Sequence, residues 1–273
     1  MRIFLISYCL AVISLFLPGT SACGLIMHTH GHITIAPYIH GFNNSKHLYP
    51  GYRSEFMTHV DFFSIKGVIF NSLLGTTTLI SKPDGEQLKM DRIRYTLTPG
   101  LRYEFGDFLL KGTLHHECIH RISSPEFKGS IWWNSFQVGV GTKGAYYLYL
   151  REEFKNSINK FLNAWDAQLN FGYIVPAKNT LVSGQNHDYQ YELFSLIRYE
   201  LGTFGKYAYF ASFRQHLWGK SDDSPEHKID ITLNLFRKGT VNFAGLFYNY
   251  TIYDTFSLDN YDGLSSLGFK IIF

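Results

Sequence analysis

The sequence predicts an all-β fold, an antiparallel transmembrane β-barrel of about 12–14 strands. Three observations predict it. Apolar and polar residues alternate with period two through most of the 273 residues, which is the pattern of strands with one apolar and one polar face. The alternating segments are mostly ten to fourteen residues long, enough for a tilted strand to cross a membrane and longer than the usual strand of a soluble sheet. Phe, Tyr and Trp make up 17% of the chain, an excess suited to the aromatic girdles at the two membrane interfaces. Mean hydropathy is near zero, as alternation rather than clustering requires.

The elements follow in order. Met1-Arg2 precedes an apolar run from Ile3 to Pro18 and the small residues Gly19-Thr20-Ser21-Ala22. A basic start, a short apolar core and small residues predict a secretory signal peptide cleaved after Ala22. The run is short of the ~20 residues that a spanning helix needs. Residues 1–22 are therefore read as signal peptide and 23–273 as one barrel domain. Cys23 follows directly, but Thr20-Ser21-Ala22 lacks the leucine that lipid attachment to that cysteine would call for. Candidate strands are 31–42, 54–64, 66–79, 92–105, 107–121, 131–142, 145–154, 163–176, 188–202, 205–218, 226–237, 240–253 and 264–273. The clearest place Ile229, Ile231, Leu233 and Leu235 against Asp230, Thr232 and Asn234, and Trp165, Ala167, Leu169 and Phe171 against Asp166, Gln168 and Asn170. Short turns such as Lys66-Gly67, Gly106-Asp107 and 202–205 fall at one end, longer segments at the other. Single-chain bacterial barrels have even strand numbers, so thirteen is one out. The alternation of short and long connections places the error between 156 and 190. Either 163–176 is not a full crossing, or Asn179–Asn186 hides another.

The last strand, Leu267-Gly268-Phe269-Lys270-Ile271-Ile272-Phe273, puts Leu267, Phe269, Ile271 and Phe273 on one face. This tail resembles that of bacterial outer-membrane β-barrels. The resemblance implies an outer-membrane location and recognition of Phe273 by the barrel assembly machinery.

Composition excludes several classes. A net charge of +3 with no basic run gives no support for nucleic-acid binding. Three cysteines, one of them in the signal peptide, make no disulfide framework. No phosphate-binding glycine loop or zinc-finger spacing occurs, and neither cofactor nor metal is expected. His28, His30 and His32 read as a mobile polar N-terminal segment rather than as metal ligands. Arg92, Arg94, Arg102, Glu104, Lys111, Glu117, Glu192, Arg198, Glu200, Arg214 and Asp230 fall on the presumed interior face, where pairing into a plug is favoured over lining of a water-filled path.

The unusual chemistry lies in Leu114-His115-His116-Glu117-Cys118-Ile119-His120-Arg121. On a strand, His116, Cys118 and His120 share the apolar face of Phe108, Leu110 and Leu114. That puts polar groups toward lipid, which supplies no hydrogen-bond partners. A thiol beside an imidazole is a nucleophile beside its base. His116 is the expected base and Cys118 the nucleophile. Asn134, on the same face of the next strand, is the expected oxyanion donor, and Glu126 or Glu152 the expected orienter of the imidazole. Metal binding by His116, Cys118 and His120, or simple solvation of these groups at the headgroup level, remain as alternatives. The segment resembles the lipid A 3-O-deacylases, barrels whose catalytic His-x-Ser faces the membrane with a Glu orienting the His, and His116-x-Cys118 matches that spacing with a thiol in place of the hydroxyl. It also looks like a group of outer-membrane barrels with a His-x-Ser-x-His segment followed by a strand starting near Asn134-Ser135. The resemblance implies hydrolysis of an acyl chain of outer-membrane lipid or lipopolysaccharide. The alternative is a non-enzymatic channel or structural barrel.

Overall fold

A computed structural model describes residues 24–39, 51–81, 89–121, 129–147, 165–175, 189–221, 224–238, 243–255 and 263–273. Twelve strands form in them: β1 (Gly24–Ile39), β2 (Tyr52–Ile65), β3 (Val68–Ser81), β4 (Lys89–Phe105), β5 (Phe108–Arg121), β6 (Gly129–Thr142), β7 (Trp165–Ile174), β8 (Tyr189–Phe204), β9 (Tyr207–Lys220), β10 (Glu226–Lys238), β11 (Phe243–Asp254) and β12 (Ser265–Ile272). A short helix, α1 (Lys143–Tyr147), follows β6. Each strand pairs antiparallel with its sequence neighbours, and β1 pairs with β12 to close the barrel. Among the described residues no helix is long and apolar enough to cross a membrane, so any crossing is made by strands.

Tight turns set one end. Lys66 and Gly67 both take positive φ, 50° and 81°, as a two-residue type I′ hairpin turn demands. Gly106 and Gly205, at 56° and 57°, open the two-residue turns between β4 and β5 and between β8 and β9. Short turns mark the periplasmic end of such barrels and long loops the outer end. The strands β5, β7 and β9 therefore run outward.

The faces sort as the alternation predicts. Phe136, Val138, Leu110, Leu169, Phe171, Leu233 and Phe269 point outward and are exposed. In water, an apolar belt of this extent would be a liability, whereas lipid covers it. The inner face is polar and paired. Arg102, 1% exposed, donates through Nη1 and Nη2 to Asp61 at 2.9 Å each, and through Nε to Glu104 at 2.9 Å. Lys143 reaches the other oxygen of Glu104 at 3.1 Å. Arg94 meets Glu117 at 3.0 Å, Arg214 meets Asp230 at 2.8 Å, and Lys228 meets Asp254 at 3.0 Å. The interior is thus crossed by ion pairs. Apolar clusters add to it: Ile119, Trp133, Ile174, Tyr189 and Trp218 toward the outer end, and Ala208, Phe210, Phe236 and Ile272 toward the periplasmic end.

Two expectations need correction. The surplus strand lies at 145–154 rather than between 156 and 190. Residues 145–147 belong to α1, while 163–176 contains a true crossing, β7, paired with both β6 and β8. Tyr146, Leu148 and Leu150 alternate like a strand, but five residues of helix directly after β6 take the chain out of the sheet. Residues 148–164 and 176–188 lie outside the described residues. The N-terminal histidines are not on a mobile segment either. His30 and His32 belong to β1 and face inward, His30 stacked on His59 with centroids 4.7 Å apart and His32 Nε2 2.6 Å from Glu55 Oε1. Closure of the barrel recruits this segment as a strand. The predicted signal peptide lies wholly outside the described residues.

The seam between β1 and β12 has little tolerance. Gly31 donates to the Phe273 carbonyl at 2.8 Å and accepts from the Phe273 amide at 3.0 Å. A Cβ on Gly31 would sit 2.2 Å from the Met57 carbonyl oxygen, a backbone atom that cannot move without displacing β2. Gly31→Ala should lower barrel stability by about 1–3 kcal/mol, the usual cost of overpacking, read as an earlier midpoint in urea unfolding of the lipid-reconstituted protein. An unchanged midpoint would show that β1 and β2 can part enough to admit the methyl group.

Candidate active site

The site is built on the outer half of β5 and β6. The two-residue turn at 106–107 pairs Phe105 with Phe108 and so fixes β5 on β4, placing Leu97 opposite His116, Tyr95 opposite Cys118 and Ile93 opposite His120. On the other side His116 lies opposite Asn134 and Cys118 opposite Trp132. His116, Cys118, His120 and Asn134 therefore occupy one outward patch. It is rimmed by Tyr95, Leu97, Leu114, Trp132 and Phe136, all exposed toward lipid.

Two hydrogen bonds order the patch. His116 Nδ1 lies 2.8 Å from Asn134 Oδ1. A carbonyl oxygen only accepts, so Nδ1 carries the hydrogen and Nε2 keeps its lone pair. The bond therefore selects the tautomer in which the outer nitrogen of His116 is a base. Cys118 Sγ lies 2.9 Å from His120 Nε2. His120 is held in turn by the edge of Tyr95, ring centroids 5.6 Å apart, and His116 leans on Trp132 at 6.5 Å.

The inner face behind the patch is hydrogen-bonded to neighbouring strands. His115 bonds Thr98 Oγ1 through Nδ1 at 2.9 Å and Glu117 through Nε2 at 3.2 Å. Ser135 donates to Glu192, which also accepts from Gln137 at 2.7 Å and bonds His216 at 3.2 Å. The residues flanking His116, Cys118 and Asn134 in sequence are thus tied to β4 and β8, which holds the backbone of the patch in place.

Of the residues anticipated from the sequence, the structure joins His116 to Asn134, while Cys118 shares their outward face and is bonded to His120 instead of to His116. Asn134 turns its carbonyl oxygen to the imidazole, the position of an orienter, rather than an amide toward a reacting carbonyl. Glu126 and Glu152 lie outside the described residues, and the strand that was expected to carry Glu152 does not form over residues 145–147. Among the described residues no group of three or more His, Cys, Asp or Glu converges as a metal site. The contact of His120 with the thiol went unforeseen. The signal for it was present, since His120 follows Cys118 by two residues and so shares its face.

No protein-family model and no curated protein matches this chain. Solved structures do. The outer membrane phospholipase of Salmonella typhi, solved as a dimer with bound calcium, superposes with a TM-score of 0.51 at 10% identity over 96% of each chain. The outer membrane phospholipase A of Escherichia coli gives 0.50 at 12% identity, again over 96% of each chain. An active-site mutant of the latter, with an asparagine changed to alanine, gives 0.50 at 10% identity over 96% of each chain. At such identities the likeness concerns the fold, and the fold is that of bacterial outer-membrane barrels. The described residues of this chain have that fold, a closed barrel of twelve antiparallel strands.

Proposed function

We propose that this barrel hydrolyses acyl-ester bonds of outer-membrane lipid, with Cys118 as nucleophile and His116, oriented by Asn134, as general base. The observation that carries the reading is the 2.8 Å bond from His116 Nδ1 to Asn134 Oδ1 on the lipid-facing side of the barrel, two residues from a thiol on the same face. Lipid supplies nothing to compensate polar groups placed there, so a hydrogen-bonded imidazole beside a nucleophile calls for a chemical reason. The acyl chains of an outer-leaflet phospholipid or lipopolysaccharide lie along this surface. Attack by sulfur on an ester carbonyl would give a thioester and a free alcohol, and attack by water on the thioester would release the fatty acid and restore the thiol.

Two solved structures of the same fold are of an enzyme named as a phospholipase, and a third carries an asparagine-to-alanine change in its active site. Here Asn134 takes the role of orienter, while Glu126 and Glu152, expected in that role from the sequence, lie outside the described residues. The neutral amide suits a hydrocarbon border better than a carboxylate, which would have to be stripped of water. The paired interior and its two apolar clusters favour this reading over that of a channel.

The test compares the lipids of outer membranes that hold the intact protein, the Cys118→Ala variant, or neither. Mass spectra of lipid A and of phospholipids should show loss of an acyl chain only with the intact protein. Three identical pairs of spectra from folded, inserted protein would remove the proposal. One further result is expected. Asn134→Ala should lower the rate by about 10²-fold, the usual cost of a misplaced catalytic group, with the barrel still folded.

A further inference from the structure

Cys118 has a histidine on each side along its strand, and the thiol is bonded to the one not held by Asn134. We propose that the two imidazoles divide the reaction: His120 takes the proton from the Cys118 thiol during acyl transfer to sulfur, and His116, held by Asn134, takes the proton from water during hydrolysis of the thioester. The inference rests on the hydrolase reading above and deepens it by assigning a second base.

Geometry separates the two roles. Sγ to His120 Nε2 is 2.9 Å, within hydrogen-bond reach for proton transfer. His116 spends its Nδ1 on Asn134, which leaves the Nε2 lone pair for a second partner. The two rings are also mounted differently. His120 meets the edge of Tyr95 across β4, while His116 is held by Asn134 and Trp132 across β6. A single-base site has no use for a second imidazole on the sulfur, and lipid makes any idle polar group on this face costly.

The steps balance. The S–H proton passes to His120 Nε2 as sulfur bonds to the ester carbonyl carbon, and the carbonyl π electrons move to oxygen. The tetrahedral species collapses, the C–O bond breaks, and the departing alkoxide takes the proton from His120. A water then adds to the thioester carbon and gives one proton to His116 Nε2. Collapse breaks the C–S bond, and the leaving sulfur takes that proton back. The net change is ester and water to fatty acid and alcohol, with no oxidant or reductant.

The test uses full-length protein refolded in detergent micelles, with a long-chain p-nitrophenyl ester as probe of hydrolysis and iodoacetamide as probe of the thiol. Alkylation is followed on the peptide that holds Cys118, so that Cys23 does not contribute. At one fixed neutral pH, His120→Gln should slow alkylation of Cys118 and p-nitrophenol release each by about tenfold or more, the usual cost of removing a general base, with no acyl group accumulating on the protein. His116→Gln should leave the alkylation rate in place and release about one equivalent of p-nitrophenol, then stop. Its intact mass should be raised by one acyl chain, and that increment should be lost on treatment with hydroxylamine. The inference is overturned if His120→Gln keeps the alkylation rate of the intact protein, or if His116→Gln is the variant that loses it. Where His120→Gln does not fold, His116→Gln decides: absence of an acylated protein overturns the division of roles. If no variant and no intact protein releases p-nitrophenol, the hydrolase reading fails, while the alkylation rates still judge whether His120 is the partner of the thiol.

Discussion

Replacing Cys118 with alanine should abolish acyl-ester hydrolysis while leaving a folded, inserted barrel. A nucleophile that forms a covalent intermediate has no substitute in the reaction, so the loss should reach about 10⁴-fold or more. Folding should survive because Cys118 is half-exposed on the outer face and makes no disulfide. Among the described residues its sulfur bonds to the side chain of His120, and the ladders to β4 and β6 are backbone bonds. Thiol reagents should reproduce the loss in the intact protein and have no effect on the variant. The measurement is fatty-acid release per folded barrel, with circular dichroism as the check on structure. Residual activity within tenfold of the intact protein would take Cys118 out of the mechanism.

The largest effect on stability is expected inside the barrel, at Arg102. Its guanidinium grips Asp61 with two bonds and Glu104 with a third, and both Arg102 and Asp61 are almost wholly buried. Arg102→Met keeps much of the volume but leaves Asp61 charged without its partner in a low-dielectric interior. Breaking a buried pair from one side costs about 3–5 kcal/mol, whereas replacing both partners by apolar groups is often close to neutral. Urea unfolding in lipid vesicles should show the single variant strongly destabilised and the Arg102→Met, Asp61→Leu double variant substantially recovered. Equal losses in the two would place the energy in guanidinium packing or in Glu104 rather than in the stranded carboxylate.

Much of this architecture is legible in the alternation, because a strand's period of two is a property of single residues and needs no partner. The strands β2 to β12 fall close to where the pattern puts them, β1 begins earlier, at Gly24, and His116, Cys118, His120 and Asn134 lie on the outward face as the pattern places them. Register is different. That His116 faces Asn134 rather than Trp132 depends on how β6 returns alongside β5 after residues 122–128, a connection with no turn signature comparable to Lys66-Gly67. The sequence could therefore place Asn134 near the imidazole without showing which of its atoms the imidazole meets. The error at 145–154 has the opposite cause. Alternation there was genuine, but Lys143–Tyr147 turns helical at the periplasmic end of β6, and pattern alone does not reveal that the sheet has already ended. The inward histidines of β1 were misjudged because their neighbours in space, His59 and Glu55, come from the next strand.

The outward placement of the patch also decides how a substrate arrives. The proposed nucleophile lies on the flank of the barrel, not in its lumen, so the proposed reaction draws its ester from the leaflet. The ester must diffuse sideways within the leaflet and collide with β5 and β6 edge-on. Turnover should then scale with the mole fraction of ester in the membrane rather than with its amount per volume of buffer, and inert lipid should act as a diluent. Chain order in the leaflet becomes a kinetic variable, since a tightly packed bilayer would keep ester carbonyls above Cys118, and a disturbed one would let them sink to its level.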